Sequence, residues 1–227
     1  MIERFDIMKA FVEKYKHGWP ILYVFIYFPW FIWLEKNVTE NFHLIHVPLD
    51  DKIPFIEYFI IPYLSWFAFI AVFVLYFFFT DKKEFYQLAA LLATGMTLFL
   101  IISTLFPNGL MLRPTSFARD NVFVDMCKML WRADTSTNVF PSIHVYNSVA
   151  VTIAVLKSRH LKEHRWVQIG CVLLAILIIL STMFLKQHSV VDVIGGILMA
   201  AAIYPFVYAT RTEQAVRQVK RQPVRQA

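Results

Sequence analysis

Three short segments of this chain carry side chains that can do chemistry together. They are Leu112-Arg113-Pro114, Phe140-Pro141-Ser142-Ile143-His144 and His188-Ser189-Val190-Val191-Asp192. His188 and Asp192 stand four residues apart, so on a helix they share one face. A carboxylate beside an imidazole selects its tautomer and stabilises the imidazolium. That arrangement prepares a histidine as nucleophile or base. Pro141 marks a helix start, because its missing N–H has no partner in a first turn anyway. Ser142 can cap that helix or donate to a phosphate oxygen, and the free N–H groups there favour an anion. His144 falls within the same first turn. Arg113 offers a fixed cation whose fork matches phosphate oxygens. Singly, each segment has a plainer reading: a histidine satisfied at a helix end, a simple Pro-Ser cap, or an arginine snorkelling at an interface. Taken together they supply a nucleophile, an acid for a leaving group and charge stabilisation. Phosphoryl transfer without a metal requires that set.

The elements that must position these residues are membrane helices. Of 227 residues, 58% are hydrophobic, 17% aromatic and only 17% charged. A soluble domain carries about 25% charged residues and could not hide so much apolar surface. Disordered chains, coiled coils and nucleic-acid-binding tails are excluded by the same composition. Six apolar runs approach the roughly 17–25 residues that a bilayer core needs. They are Trp19–Leu34, Phe55–Phe79, Phe85–Phe106, Ser142–Leu156, Trp166–Met183 and His188–Thr210. The first and fourth are short, and Pro20 and Pro141 mark their starts. The expected fold is therefore an all-α integral membrane domain of six transmembrane helices over residues 19–210.

Six spans place both termini on one side. The segments on that side hold fifteen Lys and Arg residues, and those on the other hold seven. The positive-inside rule then puts both termini in the cytoplasm and all three chemical segments on the extracytoplasmic, or lumenal, side. Residues 1–18 carry Phe5, Met8, Val12 and Tyr15 at helical spacing between charges. They read as an amphipathic interfacial helix and not as a signal peptide. Residues 211–227 form a basic cytoplasmic tail able to touch anionic lipid. The connection over 107–141 is long enough to be functional, and its apolar spacing predicts a short amphipathic helix over 119–133. Cys127 and Cys171 lie in different settings and support no disulfide or zinc framework. His43 and His46, with Glu40, Asp50 and Asp51, lack a defined ligand set and read as a solvated loop. Asn37-Val38-Thr39 is a glycosylation sequon on the outer side.

With these residues in view, the chain resembles the type 2 phosphatidic acid phosphatase superfamily. That family carries Lys-x6-Arg-Pro, Pro-Ser-Gly-His and Ser-Arg-x5-His-x3-Asp. Arg113-Pro114 matches the end of the first motif. Pro141-Ser142-Ile143-His144 matches the second with Ile for Gly. Ser181-Thr182, His188 and Asp192 match the third in spacing. The resemblance covers about residues 85–200 and implies a helical-bundle core of the family's type. It implies that His188 attacks phosphorus to form a phosphohistidine, that Asp192 orients it, and that His144 protonates the leaving alcohol and then serves as base. Arg113 and Ser142 would hold phosphoryl oxygens, and no metal or other cofactor is implied.

Two family cations are replaced: the lysine position falls at Phe106 and the arginine position at Thr182. Lys186 is a substitute phosphate-binding cation beside His188, with Arg119 and Arg132 as further ones. A phosphomonoester carries nearly two negative charges at neutral pH, so fewer cations suit a phosphodiester. In this the chain is similar to the branch of sphingomyelin and inositol phosphorylceramide synthases, which keeps mainly the two histidines and the aspartate. Three functions follow. The first is a lipid phosphate hydrolase, either a phosphatase or a phospholipase C-like enzyme. The second is a head-group phosphotransferase with an alcohol acceptor. The third, from another class, is a transporter or lipid-binding protein with a degenerate site. The expected partner is a phospholipid or polyprenyl phosphate in the membrane, and no nucleic acid.

Overall fold

The computed structural model describes residues 13–221, with side chains as far as residue 208. Most of the expected interfacial helix over 1–18 lies outside the described residues, as do the side chains of the basic tail. From Glu13 the chain is helical through Asn37. A 3-10 stretch, Lys16–Tyr23, contains Pro20 and leads into α1 (Val24–Asn37). The short α2 (Pro48–Lys52) follows in the first loop. Then come α3 (Ile60–Thr80), α4 (Lys82–Leu105), α5 (Val122–Ala133), α6 (Ile143–Lys157), α7 (Arg165–Phe184) and α8 (Val190–Arg221).

Local chemistry sets the helix starts. Asp81 accepts from the N–H groups of Lys83 and Glu84 and so caps α4. Asn121 accepts from Phe123 and Val124 at the head of α5. That helix lies where the apolar spacing within 119–133 places it, and its buried Val124 and Cys127 face the bundle. Cys127 and Cys171 are both buried free thiols.

Among the described residues five helical stretches are long and apolar enough to cross a membrane: Glu13–Asn37, Glu57–Thr80, Lys82–Leu105, Arg165–Phe184 and Val190–Tyr208. The helix at the fourth expected position, α6, has only 15 residues. At 1.5 Å per residue it rises about 22 Å, short of a bilayer core of roughly 30 Å. It is also the most enclosed, packing against α3, α4, α7 and α8. Its small residues Ser148, Ala150 and Ala154 are buried and let neighbouring backbones approach. Gly95 of α4 does the same from the other side. A Cβ there would lie 2.0 Å from the ring of Tyr146, whose hydroxyl donates to the Leu91 carbonyl at 2.6 Å.

The loops between helices gather at two ends. At one end, β1 (His43–Leu44) pairs in parallel with β2 (Asn108–Gly109). Buried Asn108 ties the same end together by accepting from Val139 and Phe140 N–H groups at 2.9 and 2.8 Å. Glu35, at the end of α1, accepts from Asn138 and Thr135. At the other end, buried Glu84 accepts from the Ser158 hydroxyl and the Arg159 N–H. The first end carries all three segments singled out above.

Candidate active site

The heart of the site is a turn, residues 185–189, between α7 and α8. Helix α7 ends in a Schellman turn: Gln187 N–H donates to the Thr182 carbonyl and Lys186 N–H to the Met183 carbonyl. Lys186 takes the left-handed position usual for glycine, with φ 55°. Helix α8 then starts from Ser189, whose Oγ accepts from Val191 N–H at 3.1 Å. Asp192 reaches back to accept from Ser189 N–H at 2.8 Å. This pair of caps, Ser189 on the Val191 N–H and Asp192 on the Ser189 N–H, pins the Asp192 carboxylate before any partner in the site is considered.

On that frame, Nδ1 of His188 faces Oδ2 of Asp192 at 3.4 Å. The other ring nitrogen, Nε2, faces Nδ1 of His144 at 3.5 Å. The His188 and Asp192 side chains are buried. His144 lies against two aromatic rings of α3, with centroid distances of 4.3 Å to Trp66 and 4.8 Å to Tyr63. Those contacts orient it through its flat faces and leave its edge toward His188. Both helix starts are joined directly: the Ser142 N–H donates to the Asp192 main-chain carbonyl at 3.0 Å. Ser142 is fully buried, and its Oγ caps α6 by accepting from Val145 N–H at 3.4 Å.

Arg113 arrives from the long loop. Its guanidinium donates to the carbonyls of Trp131 and Thr135 at 3.0 and 2.8 Å, and to Oε1 of Gln187 at 2.7 Å. It therefore reaches the His188 turn through the neighbouring side chain. Burial pulls its pKa down, opposed by Asp134, Tyr63 and Glu35. Arg113 also lines a cleft of about 450 Å³ with Thr39, Phe42, Thr135, Ser136 and Thr137. Arg113 thus borders that cleft and, through Gln187, the turn that carries His188.

The remaining expected cations are engaged otherwise. The Lys186 ammonium donates to the carbonyls of Asp50 and Ile53. Arg119 pairs with Glu57 at 3.1 Å, and Arg132 is exposed. The lysine position of the first motif, Phe106, stacks on His43 at 4.4 Å. The arginine position of the third, Thr182, is buried and turns its hydroxyl onto the Ile179 carbonyl.

Several groups enter the site that its sequence motifs do not announce. Gln187 donates to Oδ2 of Asp134 at 3.1 Å and to the Tyr63 hydroxyl at 3.4 Å. Asp134 has its pKa raised by burial and by Glu35, with Arg113 and His188 pulling the other way. Asp50 corrects the expectation of a solvated first loop: it is buried and bonded to the start of α8. Its neighbours fit the expectation better, since His46 and Asp51 form an exposed pair at 2.9 Å. Among the described residues no cluster of three His, Cys, Asp or Glu has the arrangement of a metal site.

Two histidines, a capped aspartate and an arginine beside them can move a phosphoryl group or a proton. No curated protein and no solved structure matches the chain. Residues 112–215, the stretch that carries Arg113, Ser142, His144, His188 and Asp192, match the model of the PAP2 superfamily, whose members are typically phosphoester hydrolases or phosphotransferases.

Proposed function

We propose that this protein is a membrane-embedded phosphoryl-transfer enzyme that acts on lipid phosphate esters through a phosphohistidine on His188. The observation that carries the reading is the line Asp192–His188–His144, with spacings of 3.4 and 3.5 Å. Asp192 behind Nδ1 holds the proton there and leaves the Nε2 lone pair free. In the resting enzyme His144 Nδ1–H points at that lone pair. A substrate phosphorus entering between the rings takes the place of this contact.

The chemistry then balances with these groups alone. His188 Nε2 attacks phosphorus, forming the P–N bond as the P–O bond to the alcohol breaks. His144, entering this step as the imidazolium, passes its Nδ1 proton to the leaving oxygen and becomes the neutral imidazole. In the second half the neutral His144 takes a proton from the acceptor hydroxyl and is an imidazolium again. That oxygen attacks phosphorus and releases His188. Asp192 stabilises the imidazolium character that develops on His188 during attack. Ser142 and the first N–H groups of α6, together with Arg113, are the proposed holders of phosphoryl oxygens.

With water as acceptor the enzyme is a lipid phosphate hydrolase. With an alcohol acceptor it is a head-group phosphotransferase, and the charge around the site favours a phosphodiester for either. Arg113 is offset by Asp134 and Glu35, and the two family cation positions hold Phe106 and Thr182. The excess of basic residues on the opposite end of the bundle supports cytoplasmic termini and a site on the extracytoplasmic face. The test is rapid quenching of purified protein with labelled phosphatidic acid, a polyprenyl phosphate and a head-group-labelled phosphodiester. The expected product is a label on His188 that is stable to base and labile to acid. Turnover without such a label excludes the covalent route, and transport without turnover would return the protein to the transporter class.

A further inference from the structure

We propose that Asp50, in the first loop, is a positioning residue that sets the orientation of His188; the proposal rests on the phosphohistidine reading above. His188 is weakly held by its own side chain, since its two polar neighbours lie at 3.4 and 3.5 Å. Good N–H···O bonds are nearer 2.9 Å. The ring is therefore aimed mainly by its backbone, and the backbone of the 186–190 turn is held from outside by the loop over 47–53.

The clamp has two jaws. The Asp50 carboxylate accepts from the Ser189 hydroxyl at 2.7 Å and from the Val190 N–H at 2.9 Å, on the residues just after His188. The Lys186 ammonium, two residues before His188, donates to the carbonyls of Asp50 and Ile53. Asp50 is itself fixed by accepting from the Val47 N–H at 2.9 Å, and it is 1% exposed. Ser189 and Asp192 satisfy the Val191 and Ser189 N–H groups at this helix end, and Asp50 takes the Val190 N–H that they leave over. What Asp50 adds is a connection from His188's turn to an element about 140 residues away in sequence. A carboxylate at the start of α8 also sits at the end of the helix dipole that favours negative charge.

The experiment compares full-length Asp50→Ala, Asp50→Asn and Ser189→Ala with wild type in detergent, measuring kcat, KM, melting temperature and the single-turnover rate of His188 phosphorylation. Misplacing a reacting group by an ångström costs up to about a hundredfold. Asp50→Ala is expected to lower kcat about tenfold or more with KM changed less than threefold. Phosphorylation should slow by the same factor while still reaching full stoichiometry. Asp50→Asn, which keeps an acceptor for the Val190 N–H, should recover most of the loss. A wild-type kcat per folded molecule in Asp50→Ala, with only a lower melting temperature, would overturn the proposal. So would a raised KM at constant kcat, which would mean substrate contact. If Asp50→Ala does not fold, Ser189→Ala carries the test: a severalfold loss in kcat is expected, and an unchanged kcat overturns it. Wild-type turnover without a label on His188 would instead overturn the reading of the site, and the effect of Asp50 would still be read on kcat.

Discussion

The backbone N–H of Ser142 donates to the main-chain carbonyl of Asp192 at 3.0 Å, so the helix bearing His144 begins on the first turn of the helix bearing Asp192. The facing of His144 and His188 is thus a property of backbone contact between α6 and α8. Two glycines on α8 make this contact close. A Cβ on Gly196 would lie 2.7 Å from the Ser142 carbonyl, and one on Gly195 would lie 2.5 Å from the Phe140 ring.

Gly196→Ala is therefore expected to push the two helix starts apart. The clash is with a backbone atom, which cannot swing aside. Overpacking of this kind costs about 1–3 kcal/mol, to be read as a lower melting temperature in detergent. The activity loss should exceed the loss expected from the unfolded fraction, because the imidazole spacing changes in the folded molecules. An alanine variant with wild-type activity and stability would show that the two helices are not held by this contact.

On the proposed mechanism, His188→Gln abolishes turnover, and Asp192→Asn leaves a residue of it. An amide at 192 can still accept from Ser189 N–H and keep the cap. It cannot hold the proton on His188 Nδ1 or stabilise the developing charge. In a serine-protease triad the corresponding change costs about 10⁴ in kcat, and a loss of about 10²–10⁴ is expected here. Steady-state rates with matched melting temperatures check it. An Asp192→Asn rate within threefold of wild type would remove Asp192 from the mechanism.

The sequence reading succeeded where the signal is local and failed where it is not. Apolar runs place α4, α6 and α7 to within a few residues, and the amphipathic spacing around Val124 and Cys127 places α5, whereas the runs Trp19–Leu34 and His188–Thr210 fall short of the helical stretches Glu13–Asn37 and Val190–Arg221. His188, Asp192, His144 and Ser142 were legible because helix periodicity and a proline fix their neighbourhoods. The caps that Ser189 and Asp192 supply also stand in the sequence as Ser-x-x-Asp, a local signal of a helix start. Asp50, Asp134 and Tyr63 were not legible, because their contacts to the His188 turn span 53 to 140 residues and depend on how loops fold back. Lys186 stands two residues before His188 in sequence, and its ammonium donates to the first loop, a contact that no local signal announces.

Asp134 should impose both a pH dependence and a charge preference. Its folded pKa is raised by burial and by Glu35, so the folded state holds this proton more tightly than the unfolded chain. The associated stability is fully present below the unfolded value, near 3.9. It is lost as pH rises through the raised folded value. At neutral pH the native protein carries that loss, and Asp134→Asn removes it. The variant should melt higher than wild type at pH 7, with the difference shrinking toward pH 4. Removing this negative charge beside Arg113 should also raise kcat/KM for a phosphomonoester relative to a phosphodiester. Melting curves across pH 4–8 and paired rates on the two ester classes test both outcomes. A melting difference that grows as pH falls would contradict the sign.

His144 offers the sharpest separation of roles. If it protonates the leaving alkoxide, its loss matters only when the leaving oxygen needs a proton. His144→Gln keeps the ring-sized contact with Trp66 and Tyr63 approximately filled but supplies no acid. General acid catalysis is worth about 10²–10⁴. The phosphorylation step should fall by that factor with an alkyl ester, whose alkoxide is a poor leaving group, and far less with a nitrophenyl ester, whose phenolate leaves unaided. Dephosphorylation should be slow with both, because the same residue is then the base for the acceptor. The nitrophenyl substrate would therefore give a burst of about one product per enzyme followed by a slow steady state. An equal loss on the two esters, with no burst, would mean that His144 orients His188 through their 3.5 Å contact and transfers no proton to the leaving group.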